Sequence, residues 1–151
     1  MLKSLCQASL ISAACLLSAC STTATNSQQQ HNLNLLQNKT WILTHIGNTE
    51  YNANPSQRNI PSLQFDAATQ RISGADGCNR IMGAYTVHAD KLSLGQLAGS
   101  QMLCMDQMTL ANQYNEALSK VVGYQVYNKT LRLLDQHGNP LLQFKSAIQP
   151  R

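Results

Sequence analysis

A glycine-punctuated stretch, Ser73-Gly74-Ala75-Asp76-Gly77-Cys78-Asn79-Arg80-Ile81-Met82-Gly83-Ala84-Tyr85, narrows the folds open to this chain. Its other residues are strand-like, and glycines in strand context mark bulges, sharp bends or the close approach of two backbones. A second segment, Leu97-Ala98-Gly99-Ser100-Gln101-Met102-Leu103-Cys104, echoes it with its own glycine and cysteine. Short alternating runs surround the two. Residues 62–66 bury Leu63 and Phe65 on one face and leave the other wet, as a half-buried strand does. Residues 40–46, 71–74, 84–88, 91–94, 124–127, 130–135 and 140–145 read as further strands. Turn signals separate them at Gly47-Asn48, 67–70, Ala89-Asp90, Asn128-Lys129 and 136–139, and residues 51–61 form an exposed loop. The class this predicts is mainly β (α+β): a small, strongly bent antiparallel sheet or β-barrel. Trp41, the only tryptophan, is expected in its core.

One segment has a different period. Asp106 offers an N-cap, and Leu110, Ala111, Tyr114, Ala117, Leu118, Val121 and Val122 follow at three- and four-residue spacing. The spacing predicts one amphipathic helix of about 15 residues, packed on the sheet and ended by Gly123.

The N-terminus carries the clearest targeting signal. Lys3 precedes an apolar run from Leu10 to Leu17, which is shorter than the ~20 residues a membrane span requires and reads as a secretory signal. It closes with Leu17-Ser18-Ala19-Cys20, which resembles the bacterial lipobox, so residues 1–19 are expected to leave and Cys20 to carry lipid. Several acyl chains on one cysteine anchor a protein stably, at ~0.8 kcal/mol per buried methylene. Ser21 stands where inner-membrane lipoproteins often carry Asp, which implies the periplasmic face of the outer membrane. Residues 20–38, rich in Ser, Thr, Asn and Gln, read as the lipidated cysteine and a flexible tether, whose Leu33, Leu35 and Leu36 begin to dock on the domain.

Of five cysteines, Cys6 and Cys15 belong to the leader and Cys20 to the lipid. Cys78 and Cys104 remain. In an oxidising compartment they either form a disulfide, closing a loop of about 27 residues for roughly 3–4 kcal/mol, or stay reduced as small buried hydrophobes. The compartment favours the bridge. A zinc set of Cys78, Cys104, His45 and His88 would require both thiols reduced, so no metal ligand is assigned.

The chain has 43% hydrophobic and 12% charged residues, a globular composition, and a formal charge of +4 that falls by one when Lys3 leaves. Its basic residues are scattered singly, without the patch or stripe of a nucleic-acid surface. No HExxH, CxxC or GxSxG motif occurs, and the glycine-rich stretch lacks the Lys-Ser/Thr of a phosphate loop. These absences lead to the expectation of no catalytic residues, no cofactor and no enzymatic activity. Asn79 and Arg80 have two readings. They are a recognition pair displayed beside Cys78, or Asn79 serves turn backbone groups while Arg80 caps the barrel mouth through a carboxylate such as Asp76. The second is favoured, because Asn commonly serves its own backbone.

Thr40-Trp41, the box Ser73-Gly74…Gly77-Cys78-Asn79-Arg80 with Gly83-Ala84-Tyr85, Lys91-Leu92-Ser93-Leu94, Leu97-Ala98…Met102-Leu103-Cys104 and the closing run from Leu131 to Phe144 together resemble the META domain (DUF306) family of HslJ-like heat-shock lipoproteins. The resemblance covers residues 39–146. It implies a lipocalin-like barrel with one helix packed on it. It also implies a non-enzymatic envelope lipoprotein linked to heat stress and to tolerance of antibiotics such as novobiocin. One departure is visible: Ser100-Gln101 stands where the family usually carries Thr-Arg. Other functions compatible with a small barrel are a periplasm-facing module holding a small apolar ligand, and an inhibitor or assembly chaperone for an envelope protein. The positive charge argues against an inhibitor of a cationic lysozyme.

Overall fold

The computed structural model describes residues 22–54 and 56–147, with side chains from residue 26 onward. The 1–19 leader and Cys20 lie outside the described residues. In chain order the elements are α1 (Thr22–Leu36), β1 (Thr40–Ile46), β2 (Thr49–Glu50), β3 (Ser62–Asp66), β4 (Arg71–Ala75), β5 (Arg80–His88), β6 (Lys91–Leu94), β7 (Ala98–Gly99), α2 (Met108–Ser119), β8 (Gly123–Tyr127), β9 (Thr130–Leu134) and β10 (Pro140–Ser146). None of the described helices is long and apolar enough to cross a membrane.

The strands follow the order β10-β9-β8-β6-β5-β4-β3-β1, and β10 pairs back onto β1. That last pairing, with Trp41 opposite Ser146 and Leu43 opposite Phe144, closes an eight-stranded antiparallel barrel. Closure removes the open edges on which other chains could add strands. β2 and β7 are short additions to β1 and β5. The seam is thinnest between β6 and β8, where a single pair, Lys91 opposite Gly123, is reinforced by Leu92 N donating to Val122 O and Tyr124 N to Asp90 O.

Alternation fills the interior. Trp41, Leu43, Leu63, Phe65, Ile72, Tyr85, Leu131, Leu133, Leu142 and Phe144 are all buried inside, each apolar side chain contributing about 1.5–3 kcal/mol. Gly74 lets β3 and β4 approach: a Cβ there would sit 2.0 Å from Ser62 O. The strand expectations hold throughout, although β5 is longer than 84–88 because the chain resumes pairing at Arg80.

The helices close the two ends. α2 lies over the end where β3 begins: Tyr114 Oη donates to Ser62 O at 3.2 Å and its ring meets Phe144 edge-on. α1 runs to the opposite end, where Trp41 Nε1 donates to Leu36 O at 2.8 Å and Asn38 N donates to Phe65 O. Buried Gln37 completes this closure, its Nε2 donating to Tyr85 Oη at 2.8 Å.

Two sequence expectations are corrected here. Residues 22–36 are helical and not a flexible tether. They contain no Gly or Pro to interrupt a helix, and docking of the last turn through fully buried Leu36 supplies the stabilisation that a polar helix lacks alone. α2 is also shorter than expected, at 12 residues. Its N-cap position is Gln107, with no side-chain cap, and Asp106 is exposed in the turn before it. The turn is already made by Gln107 N donating to Cys104 O. At the other end Lys120 and Val121 N–H groups tighten the last turn onto Ala117 and Leu118 carbonyls, and Gly123 opens β8 instead of ending the helix.

Candidate functional site

Cys78 and Cys104 form a disulfide with Cα atoms 5.8 Å apart, at the α2-covered end of the barrel. The bridge consumes both thiols of the hypothetical zinc set. Among the described residues no group of three or more His, Cys, Asp or Glu side chains could hold a metal ion.

Beside the bridge sits a residue to which the sequence reading gave no leading role. Asp76 is 1% exposed. Its Oδ1 accepts from Cys78 N at 2.9 Å and Asn79 N at 2.6 Å; its Oδ2 accepts from Asn115 Nδ2 at 2.8 Å and Asn79 Nδ2 at 3.3 Å. A buried carboxyl is costly unless hydrogen-bonded, and here every donor is neutral. Gly77 makes the geometry available, with φ of +103° and Leu110 only 2.8 Å from where a Cβ would stand.

Asn79 ties the two cysteine boxes together: its Oδ1 accepts from Met102 N at 2.9 Å. The Asn79 side chain thus serves the backbone of the distant box and the carboxylate of Asp76, and the N–H groups of its own turn are taken by Asp76 instead. Arg80 does not cap the mouth through Asp76. It opens β5 on an outward-facing position and is exposed, and the Asp76 oxygens are taken by Cys78, Asn79 and Asn115. Only the Arg80 backbone joins the network, its N–H donating to Ser100 Oγ and its carbonyl accepting from Ser100 N. Outside this knot, Gln57 Nε2 donates to Gly77 O and Gln107 Oε1, and Asn59 Nδ2 donates to Cys78 O.

Asp76, Asn79 and Asn115 line a cleft of about 530 Å³, with Leu97, Leu118 and Val121 on its apolar side. Tyr114, buried behind it, has its phenol pushed well above the usual value, first by burial and then by the charge of Asp76. The arrangement offers a rigid, polar-floored surface. It does not bring together a nucleophile and a base. His31, His88 and His137 are exposed and separate, and His45 Nδ1 is occupied with Thr44 and Gln143.

Asp76 is hard to find from sequence, because an Asp between Ala and Gly in a glycine-rich run reads as an ordinary turn residue. Asn115, on the polar side of the α2 pattern, carries no signal at all.

With this geometry in place, the comparisons are specific. The META domain family model matches residues 33–148. An NMR structure of a protein from Burkholderia xenovorans is similar at 27% identity and a TM-score of 0.59, covering 95% of this chain and 99% of that one. A second NMR structure shares the fold at 24% identity and a TM-score of 0.58, covering 74% and 92%. So does the crystal structure of a DUF4847 family protein from Bacteroides vulgatus, at 15% identity and a TM-score of 0.57, covering 78% and 98%. No curated protein matches the chain.

Proposed function

The chain belongs to the META domain family, and on that premise we propose that it is a non-enzymatic lipoprotein of the outer membrane that supports cell-envelope integrity under heat or antibiotic stress. The observation that carries this reading is the continuity between the lipobox and the barrel. α1 begins two residues after Cys20 and ends docked, with Leu36 buried and its carbonyl held by Trp41. A lipid on Cys20 would hold the barrel through a helix of about 22 Å, placing the α1-closed end toward the membrane and the bridged rim away from it. A closed, stapled barrel with a filled interior suits a protein that must persist in stressed conditions.

The test is a strain lacking the gene, challenged by heat and by novobiocin. Complementation with the native chain restores growth on this reading, and Cys20→Ser, exported but not acylated, does not. Equal rescue by both, or no sensitivity in the deleted strain, contradicts it.

A second reading is a ligand-binding module whose small apolar ligand lies outside the barrel interior. Trp41, Phe65, Tyr85 and Phe144 occupy the barrel interior, so a small apolar ligand would sit in the rim cleft above Leu97 and Leu118. Native mass spectrometry of gently extracted protein detects a co-purifying molecule if this reading is right, and an empty chain if it is not.

A further inference from the structure

Four methionines lie among the described residues, and none is tucked into the core: Met82, Met102, Met105 and Met108 are all exposed. Three of them fall in one seven-residue segment, Met102-Leu103-Cys104-Met105-Asp106-Gln107-Met108, at a strict spacing of three. Thioethers are soft, neutral ligands, and sulfur of this kind selects Cu(I) over Zn(II), Ca(II) or Mg(II).

The backbone of the segment is held in place on both sides of the bridge. From Cys104 the chain already coils, with Gln107 N donating to Cys104 O at 3.1 Å and Ala111 N to Gln107 O at 2.9 Å. Met105 opens the turn that leads into α2, and Met108, three positions on, is the first residue of that helix. Met102 enters from the other side of the bridge. Its N–H is held by Asn79 Oδ1, its carbonyl lies 3.3 Å from Cys78 Sγ, and its Sδ is 3.7 Å from Asn59 Nδ2. Both arms are thus fixed independently of any ligand, one by the disulfide and Asn79, the other by Gln107 against Gln57. Met105 is 94% exposed, free to swing onto a bound ion. Cys104, which as a thiolate would dominate any copper site, is locked in the bridge.

We propose that Met102, Met105 and Met108 form a three-thioether site for Cu(I), displayed on the bridged rim of the barrel. The ion binds in the oxidation state in which it arrives, so no electron is transferred and no proton is displaced. This site is independent of the stress-lipoprotein reading and stands or falls separately.

The experiment is an anaerobic Cu(I) titration of the full chain against a chromophoric Cu(I) chelator, with thiols outside the bridge blocked by N-ethylmaleimide. Leucine replaces methionine at nearly equal volume, so the variants keep their apolar surface. The expected result is one Cu(I) per chain, with affinity falling about tenfold or more in each of Met102→Leu, Met105→Leu and Met108→Leu. Met82→Leu, on the outer face of β5, leaves it unchanged. Three results overturn the proposal: no binding by the native chain, binding by the triple variant at native strength, or an equal loss in Met82→Leu. The second of these would make the segment an apolar contact surface only.

Discussion

At the end where β1 begins, the barrel is closed by apolar burial and single neutral hydrogen bonds: Leu36 under Trp41, Gln37 on Tyr85, Asn38 on Phe65. At the end where β4 runs out, closure rests on a covalent bridge and a buried carboxyl with four donors. At the α1 end the β8–β9 turn displays Tyr127, a single exposed aromatic ring. The bridged end holds Met102, Leu103, Met105 and Met108 out in solvent, with Leu103 98% exposed. The difference teaches that this fold closes its two ends by unlike means. One end is sealed by the segment leading from Cys20, and the other spends its strongest local constraints on keeping a loop in shape.

The largest effect is expected at the α1 end. Trp41→Ala removes the biggest core side chain and the donor to Leu36 O, and should cost about 4 kcal/mol by denaturant unfolding. Trp41→Phe, which keeps most of the burial, should recover most of that loss; if it does not, the Leu36 bond matters more than the packing. Replacing both bridge cysteines by alanine should cost roughly 3 kcal/mol and leave the barrel's far-ultraviolet spectrum intact. An unchanged midpoint would mean that the Asp76 network already confines the loop. Asp76→Asn comes next, at about 2 kcal/mol, because its amide would turn N–H groups toward existing donors and leave partners unsatisfied.

Alkaline pH gives the smallest and most selective comparison. Tyr114 at the bridged end and Tyr85 at the α1 end both have phenols raised above their ordinary value, burial being the first cause in each. An unfolded chain releases these protons near pH 10, while the folded chain retains them, so stability is complete below about pH 10 and falls as pH rises beyond it. Tyr114 is fully buried and also feels Asp76, so Tyr114→Phe should flatten the alkaline fall more than Tyr85→Phe. Equal flattening would remove this distinction between the ends.

Most of the barrel is legible in the sequence, because its evidence is local. Leu63 and Phe65 alternate with polar neighbours, Asn128-Lys129 separates two strands, and Gly74 marks a contact that only a missing Cβ permits. The family resemblance rests on the same local boxes. What escapes is whatever depends on distant partners. The α1 sequence carries no apolar stripe over most of its length, and its helix is decided by where Leu36 lands. The Asp106 cap fails because the bridge and Gln107 have already set the turn. Asp76 looks like any turn aspartate until Asn115, 39 residues away, is brought beside it.

The measurement that tests the contrast between the two ends most directly is amide hydrogen exchange in the Asp76→Asn protein against the native chain. Any destabilisation lowers protection at every globally exchanging amide by one common factor. The rim is held as a local unit on this account, so the amides of Cys78, Asn79 and Met102 should lose protection well beyond that factor. Those of Asn38, Leu43 and Tyr85, bonded to Phe65, Pro61 and Gln70 carbonyls, should follow it. If all six fall together by the same factor, the rim is an inseparable part of the barrel and the contrast between the two ends is wrong.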